Sequence, residues 1–530
     1  MSTNKTNLLF TFLSCLFLQG LAIAQVNDSF PPPNVILIVA DDMGWNDVSY
    51  HGSEIQTPTM DRLATEGVEL NRFYVHPTCS PTRSSLMTGK AALRLGFLNP
   101  LGKNYKKGLP LSEKIMPQYF KELGYQTNLV GKWHLGRFKK EYWPQNRGFD
   151  HFYGYITGGI GHYDHVHGGG HDWQRNGENL REEGYSTHLL TAEAVKLIKE
   201  KPSDKPLFLE VCYAAPHLPN EAPAEAIVPY QNLPNKNRQL HAAMVSEVDK
   251  GMQQIYEALE QEGLLDNSII WFTSDNGGLN SAAVSKTMKD GINHLTDIFG
   301  TPLPIEFLEF FRDNLANGAA DNTPFRRGKG SIYEGGVRVP SFIYAPNLLP
   351  SKKIDSRLTI NDVLPTLANA VGFKNFNPPN IDGVNQWDVL TGQIKEAIPT
   401  NYIIHAIDAE AYYSDNWKLV IPNDREKELY QLINDPRETK NVFAENTAIA
   451  AELFKAYKAF PRGEPVDDPM WQTFMDMDKF GGTEDRPPYA DLEGINAGPL
   501  HSIYYIIPSF LLLIIGFIWW RRRKLNHKKN

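Results

Sequence analysis

The residues in this chain that could do chemistry collect where apolar runs end. Asp41-Asp42 follows the run Asn34 to Ala40, and Lys132-Trp133-His134 follows Gln126 to Val130. Pro216-His217 follows Pro206 to Tyr213, and Asp275-Asn276 follows Ser268 to Thr273. Carboxylates gathered in one place repel one another unless a cation sits among them, and a donor set of hard oxygens favours Ca²⁺ or Mg²⁺ over zinc. A lysine and two histidines on neighbouring ends would add fixed positive charge and proton carriers that titrate near neutrality. Taken singly, each Asp pair is as readily a turn or a helix cap, and a lone histidine is more often a packed residue than a catalyst. Four ends offering complementary groups make a site.

Two further stretches carry reactive types. His76-Pro77-Thr78-Cys79-Ser80-Pro81-Thr82-Arg83 contains C-x-P-x-R and is followed by Met87-Thr88-Gly89. Alone, the cysteine would read as a buried thiol or a metal ligand; here Pro81 stiffens the turn and Arg83 brings a fixed cation, with Ser84 onward expected as the first turn of a helix. Arg327-Gly328-Lys329-Gly330-Ser331-Ile332-Tyr333-Glu334-Gly335-Gly336 adds another lysine among glycines. A glycine-rich loop, Tyr155 to Trp173, holds His162, His165, His167 and His171. It reads better as a flexible loop at the mouth of the site, its histidines and Asp164 meeting polar substrate, than as a zinc centre.

The elements that must position these groups alternate. The apolar runs read as strands buried on both faces, and helical spacing is expected over Ser112 to Leu123, Tyr185 to Lys201 and His241 to Glu262. Helix alternating with buried strand predicts an α/β domain with a mostly parallel sheet, whose function gathers beyond the carboxyl ends of the strands. Val337 to Ala345 is expected as a further strand and Asn361 to Val371 as a helix. Leu279 to Asn322, with an apolar helical part at Ile305 to Phe311, reads as a packed insertion. From about Thr400 short β-type runs (Tyr402-Ile403-Ile404, Trp417 to Val420, Glu428 to Leu432) and a helix from Thr447 to Phe460 predict a small antiparallel domain. Pro461 to Leu500, rich in Pro, Gly and Asp, reads as a tether.

Taken together, the C-x-P-x-R stretch, the strand-end groups, the lysine–EGG segment and Leu429-Tyr430-x-Leu432-x-x-Asp435-Pro436 resemble the type I sulfatase family, the formylglycine-dependent, arylsulfatase-like branch of the alkaline phosphatase superfamily. The lysine–EGG segment departs from that family's R-G-x-K-x-x-x-W-E-G-G. Its first interval is one residue shorter, Tyr333 replaces the tryptophan, and Arg326 is an alternative match for the arginine. The resemblance implies an alkaline-phosphatase-like fold: a large, mixed, mostly parallel sheet flanked by helices, plus a smaller C-terminal domain with an antiparallel sheet. It implies that Asp41, Asp42, Asp275 and Asn276, with position 79, hold one divalent ion, Ca²⁺ with Mg²⁺ as the alternative. It also implies that a maturation enzyme oxidises Cys79 to formylglycine. The hydrated aldehyde would attack sulfur through one hydroxyl and expel sulfate through the other. Arg83, Lys132 and Lys329 would face the sulfate oxygens, His134 would serve the formylglycine hydroxyl, and His217 would sit with Lys329 by the leaving oxygen. The expected substrates are sulfated carbohydrates, with aryl sulfates as assay compounds. The rivals are a phosphomonoester or phosphonate hydrolase of the same superfamily and an inactive tethered binder of sulfated glycans.

Composition sets the compartment. The 530 residues are 42% hydrophobic and 22% charged with a net charge of −8, ordinary for a globular protein, and dispersed basic residues argue against a nucleic-acid partner. Lys5, an apolar Leu8 to Leu21 and Ala22-Ile23-Ala24 read as a signal peptide over 1–24. Cleavage would leave Cys79 and Cys212, too few for a disulfide framework, and one sequon at Asn27-Asp28-Ser29, which leans toward a bacterial exported enzyme. Ile503 to Trp520, followed by Arg521-Arg522-Arg523-Lys524, reads as a membrane helix with a cytoplasmic basic tail at 521–530. A sorting signal that is later removed is the other reading. The expected organisation is a catalytic domain at 34–399, a small domain at 400–460, a linker at 461–502 and an anchor, with the body in the periplasm or at the cell surface.

Overall fold

A computed structural model describes residues 31–102, 105–167, 170–280, 318–373 and 376–466. Its frame is a ten-stranded sheet in which five neighbouring strands run parallel, in the order Ser268–Ser274, Asn34–Ala40, Leu207–Cys212, Gln126–Lys132, His151–Tyr155. Ser341–Tyr344 joins Ser268–Ser274 antiparallel, and Val68–Leu70 and Lys352–Ile354 extend that edge.

The continuous apolar runs follow from burial on both sheet faces. Every residue of Asn34–Ala40 is buried. Val35, Leu37 and Val39 join one apolar layer with Leu86, Met116, Phe120 and Leu364. Ile36, Ile38 and Ala40 join the opposite layer with Leu190, Ala194, Val245 and Met252. Helices Cys79–Thr88, Met116–Glu122 and Val363–Ala370 therefore cover one face, and Ser186–Lys199 and Lys236–Gln261 cover the other.

Helix starts differ from the sequence expectation, for local reasons. The helix expected from Ser112 begins at Met116, where Pro117 fits the first turn and the Gln118 side chain accepts the Ile115 N–H at 2.9 Å. The one expected from His241 begins at Lys236, because the Asn235 side chain accepts the Asn237 N–H at 2.8 Å. The helix expected from Ser84 begins at Cys79, with Pro81 in the first turn, where its missing N–H would have had no intrahelical partner. It ends at Gly89, whose φ of 66° suits glycine. The expected strand Val337 to Ala345 shortens to Ser341–Tyr344, since Glu334–Val337 is a helical turn.

The small antiparallel sheet runs in the order Tyr402–Ala406, Ala409–Ser414, Trp417–Pro422, Glu428–Gln431. One face (Tyr402, Ile404, Ala411, Tyr413, Val420) packs into the main core, while Ile403, Tyr412, Leu419 and Leu429 meet Leu453 of the helix Thr447–Ala459. The first residues expected as tether pack down instead, with Gly463 and Val466 N–H groups donating to the Leu93 and Gly96 carbonyls at 3.0 and 2.9 Å. Among the described residues no helix is long and apolar enough to cross a membrane; the expected signal peptide and the span at 503–520 lie outside them. The apolar part of the expected insertion also lies outside. Its two ends meet, however, where Asn322 and Gly278 exchange hydrogen bonds of 2.8 Å.

Candidate active site

The strands Ser268–Ser274, Asn34–Ala40, Leu207–Cys212 and Gln126–Lys132 are adjacent, so the groups at or just beyond their carboxyl ends meet above one edge. Asp41, Asp42, Asp275 and Asn276 are all buried. Asp42 adopts a φ of 70°, which Asp tolerates better than most residues and which turns its carboxylate back toward Asn276, whose Nδ2 donates to it at 2.7 Å. The Asp41 Oδ1 and Asn276 Oδ1 atoms are buried with no hydrogen-bond partner among the described residues. Burial, with Asp275 alongside, pushes the Asp41 carboxyl up to about 8 against the pull of Lys132. Crowded carboxylates with unpartnered oxygens are what a hard divalent cation would satisfy. The donor set fits one.

Cys79 occupies the first helical position and is buried, and its Sγ lies with carboxylate oxygens of Asp41 and Asp275 in a cluster whose atoms are all within 4.8 Å of one another. Burial pushes the thiol up. One turn on, Arg83 puts Nε and Nη2 on Asp275 Oδ2 at 3.1 and 2.9 Å and Nη1 on the Lys132 carbonyl at 3.0 Å. This helix turn ties the other motifs together. Ser80 Oγ donates to the His134 carbonyl at 3.0 Å, and the Gly330 N–H donates to the Pro77 carbonyl at 2.8 Å.

Each strand-end aspartate faces a cation. Lys132 Nζ lies 2.7 Å from Asp41 Oδ2, with both side chains fully buried. Lys329 Nζ lies 2.7 Å from Asp42, and with His217 it holds that carboxyl well below the usual range in spite of burial. Arg326 is not at this carboxylate. Its guanidinium lies 3.8 Å from the Tyr333 ring centroid and donates to the Tyr430 hydroxyl, so Lys329 is the cation that the segment delivers. His134 adopts a φ of 58°, uncommon for a bulky residue, and its Nε2 lies 3.0 Å from the Leu101 carbonyl, which makes Nδ1 the basic nitrogen. His217 is fixed the opposite way. Its Nδ1 meets the Leu218 carbonyl at 2.8 Å, and Nε2 points toward Asp42 at 3.7 Å. Burial, with Lys329 nearby, pushes this imidazole down to about 3.

The Lys329 segment is held from the small sheet. Glu334, fully buried, accepts from Tyr74 at 2.6 Å and from Lys418 at 3.3 Å, and Lys418 pairs with Glu438 at 2.6 Å. The Tyr333 hydroxyl donates to Glu428 at 2.7 Å. Glycines 335 and 336 are required where they stand, since a Cβ would come within 2.4 Å of the Arg327 carbonyl oxygen and 2.1 Å of that of Ser331.

The sulfatase family model matches residues 33–373, more than half of the chain. The chain belongs to the sulfatase family. It is 34% identical over 386 residues to arylsulfatase J of Mus musculus, covering 71% of this chain and 58% of that protein. It is 29% identical over 382 residues to human N-acetylgalactosamine-6-sulfatase, covering 67% of this chain and 65% of that one. The match thus spans somewhat under two thirds of these relatives. The structure is similar to that of Ps i-CgsB in complex with k-i-k-neocarrahexaose, with a TM-score of 0.71 at 28% identity over 84% of this chain and 97% of that one. The fold is accordingly the alkaline-phosphatase-like α/β fold of sulfatases, with its small antiparallel C-terminal sheet.

This sulfatase departs from its sequence reading in the histidine loop. His162, His165 and His171 are buried and not turned to solvent. His165 stacks on Trp173 at 4.3 Å, His171 meets Asn179 at 3.1 Å, and His162 bridges Ser186 Oγ and the His217 carbonyl at 2.9 and 3.0 Å. Tertiary packing turned polar residues inward, and the loop braces His217. Two other residues went unnoticed. Gly158 lies against His134, where a Cβ would come within 2.7 Å of Cε1. Glu210, inside an apolar strand, is buried beside Cys212 at 3.4 Å, with no hydrogen-bond partner for Oε2 among the described residues; burial pushes it up to about 7, with Arg83 pulling the other way. A carboxylate within an all-apolar run was the one available signal.

Proposed function

We propose that this chain hydrolyses sulfate esters, with sulfated carbohydrates as the substrate class, as an exported enzyme. The observation that carries the reading is Cys79 at the first position of its helix, enclosed by Asp41 and Asp275 oxygens and backed by Arg83. Family membership and the relatives' names support it. Asp41, Asp42, Asp275 and Asn276 would hold a divalent cation, Ca²⁺ or Mg²⁺, which supplies Lewis-acid polarisation. Formylglycine made from Cys79 by a maturation enzyme supplies the nucleophilic hydroxyl and the second hydroxyl needed for release.

The chain's own residues divide the remaining work. Lys132, paired with Asp41, and Lys329, paired with Asp42, bind and orient the sulfate group and meet charge developing on its oxygens. Arg83 holds Asp275 through two nitrogens and so fixes one of the two carboxylates clustered with Cys79. His134, with Nε2 committed to Leu101, takes a proton at Nδ1 on the nucleophile's side. His217, with Nδ1 committed to Leu218, exchanges a proton at Nε2 on the leaving-oxygen side beside Lys329. The organisation proposed with this function is a signal peptide at 1–24, a catalytic domain at 34–399, a small domain at 400–460, a linker at 461–502, and an anchor at 503–520 that places the body in the periplasm or at the cell surface.

Initial rates on 4-nitrophenyl sulfate and 4-nitrophenyl phosphate, with enzyme co-produced with a formylglycine-generating enzyme, test the reading. The sulfate ester is expected to turn over faster, and Cys79→Ala to abolish that turnover. Preference for the phosphate ester would overturn the assignment, and so would full activity in Cys79→Ala.

A further inference from the structure

Two arginines are buried side by side where the small sheet meets the main body. Arg72 precedes Phe73–Tyr74 and Arg357 precedes Leu358–Thr359, two short strands that pair in parallel. The Leu358 N–H donates to the Arg72 carbonyl at 3.0 Å, which sets the two arginines next to each other. Their exposures are only 5% and 8%. Each uses one nitrogen toward the small domain: Arg72 Nη1 donates to Asn416 Oδ1 at 2.8 Å, and Arg357 Nη2 to the Thr400 carbonyl. Nε and Nη2 of Arg72, Nε and Nη1 of Arg357 and the Tyr402 hydroxyl are buried with no hydrogen-bond partner among the described residues. In Arg83 the Nε–Nη2 edge grips Asp275; in Arg72 no carboxylate among the described residues meets it. The acids of this layer are engaged elsewhere. Glu334 accepts from Tyr74 and Lys418, and Asp362, whose charge acts on Arg357, accepts the Thr359 and Val384 N–H groups at 2.8 and 2.9 Å. A guanidinium keeps its proton in a protein, and two adjacent buried ones are costly without a counter-charge.

We infer that Arg72, Arg357 and the Tyr402 hydroxyl bind a compact inorganic anion, chloride or sulfate, at the junction between the Phe73–Tyr74 strand pair and the small sheet. Such an anion satisfies the outward guanidinium edges and the hydroxyl together, through charge-assisted hydrogen bonds. It also secures a junction that matters to the catalytic site. Tyr402 pairs in register with Tyr413, whose ring meets that of Tyr74 at 5.5 Å, and Tyr74 donates to Glu334 at the turn after Lys329. The anion is therefore a structural ligand that couples the small sheet to the segment carrying Lys329, without touching the ester being cleaved.

Thermal melting at constant ionic strength tests the inference on the full chain, purified in sodium gluconate, whose anion is too bulky for the site. Gluconate is replaced stepwise by chloride in one arm and by sulfate in the other. The melting temperature is expected to rise saturably in at least one arm, by about 3 °C at a hundred times the Kd. The arm that saturates at the lower concentration identifies the anion. In Arg72→Met and in Arg357→Met, which keep the apolar stem, that saturable rise is expected to vanish. A rise that persists in both variants overturns the inference, because the anion then acts elsewhere, as sulfate would at the catalytic site. A change that is linear in salt, or none at all, overturns it as well. If neither variant folds, wild-type crystals soaked in bromide decide the same question. An anomalous peak between the two guanidiniums supports the site, and its absence there overturns it.

Discussion

Replacing Lys418 by Met tests how the small sheet secures the Lys329 segment. The ammonium sits between Glu334 at 3.3 Å and Glu438 at 2.6 Å, and all three side chains are fully buried. Burial already pushes Glu438 up to about 7, with Lys418 pulling it back and Glu334 adding to the rise. Methionine keeps the stem and removes the charge, which leaves two carboxylates facing each other without water. Breaking a buried ionic cluster this way costs about 3–5 kcal/mol. Unfolding entropy of about 2.1 cal/mol/K per residue over roughly 430 residues gives about 0.9 kcal/mol per degree, so the melting temperature should drop about 3–6 °C. Scanning calorimetry near pH 7.5 reads this, and Lys418→Met combined with Glu438→Gln should recover a good part of it. Turnover per folded molecule should fall as well, because Glu334 leads the turn that follows Lys329. A loss under about 1 °C, or a double variant no better than the single one, would refute the reasoning.

Three further outcomes follow from the same geometry. Gly158→Ala should push the His134 ring aside and lower kcat ten- to a hundredfold with little change in melting temperature, as steady-state kinetics and thermal scans will show. Glu210→Gln should change the pH dependence of stability. The folded carboxyl holds its proton up to about 7 from a usual 4.5, so the wild type has this contribution in full below the lower value and loses it as pH rises through the upper, by about 3 kcal/mol at most. Melting curves from pH 5 to 9 should show the wild type falling relative to the variant at the alkaline end, and parallel curves would contradict the assignment. Chelation with EDTA should lower the melting temperature by about 3 °C if Ca²⁺ had been present at about a hundred times its Kd, and Ca²⁺ should restore it.

The central strands were legible because burial on both faces forces continuous apolar runs, and the site residues because they interrupt those runs at the carboxyl ends. Helix starts were less legible. Cys79-Ser80-Pro81 has low helix propensity, and the turn forms there because Ser80 and Pro77 are tied to the His134 carbonyl and the Gly330 N–H. The inward turn of His162 and His165 could not be read locally, since their partners, Ser186 and Trp173, meet them only in the folded chain. Strand Ala409–Ser414 escaped notice because its alanines and serine carry weak β preference, and its place is set by pairing on both sides. Glu210 illustrates the opposite limit. Its type was visible, but nothing nearby in sequence shows that Arg83 lies close.

The central claim is that position 79 works as an aldehyde and not as a thiol. Mass spectrometry of the tryptic peptide Phe73–Arg83, from protein co-produced with a formylglycine-generating enzyme, measures this directly. The expected result is the mass of an aldehyde, or of its hydrate, in place of the cysteine side chain, in a fraction that tracks specific activity on 4-nitrophenyl sulfate. Fully active enzyme whose peptide carries only an unmodified cysteine would contradict the account.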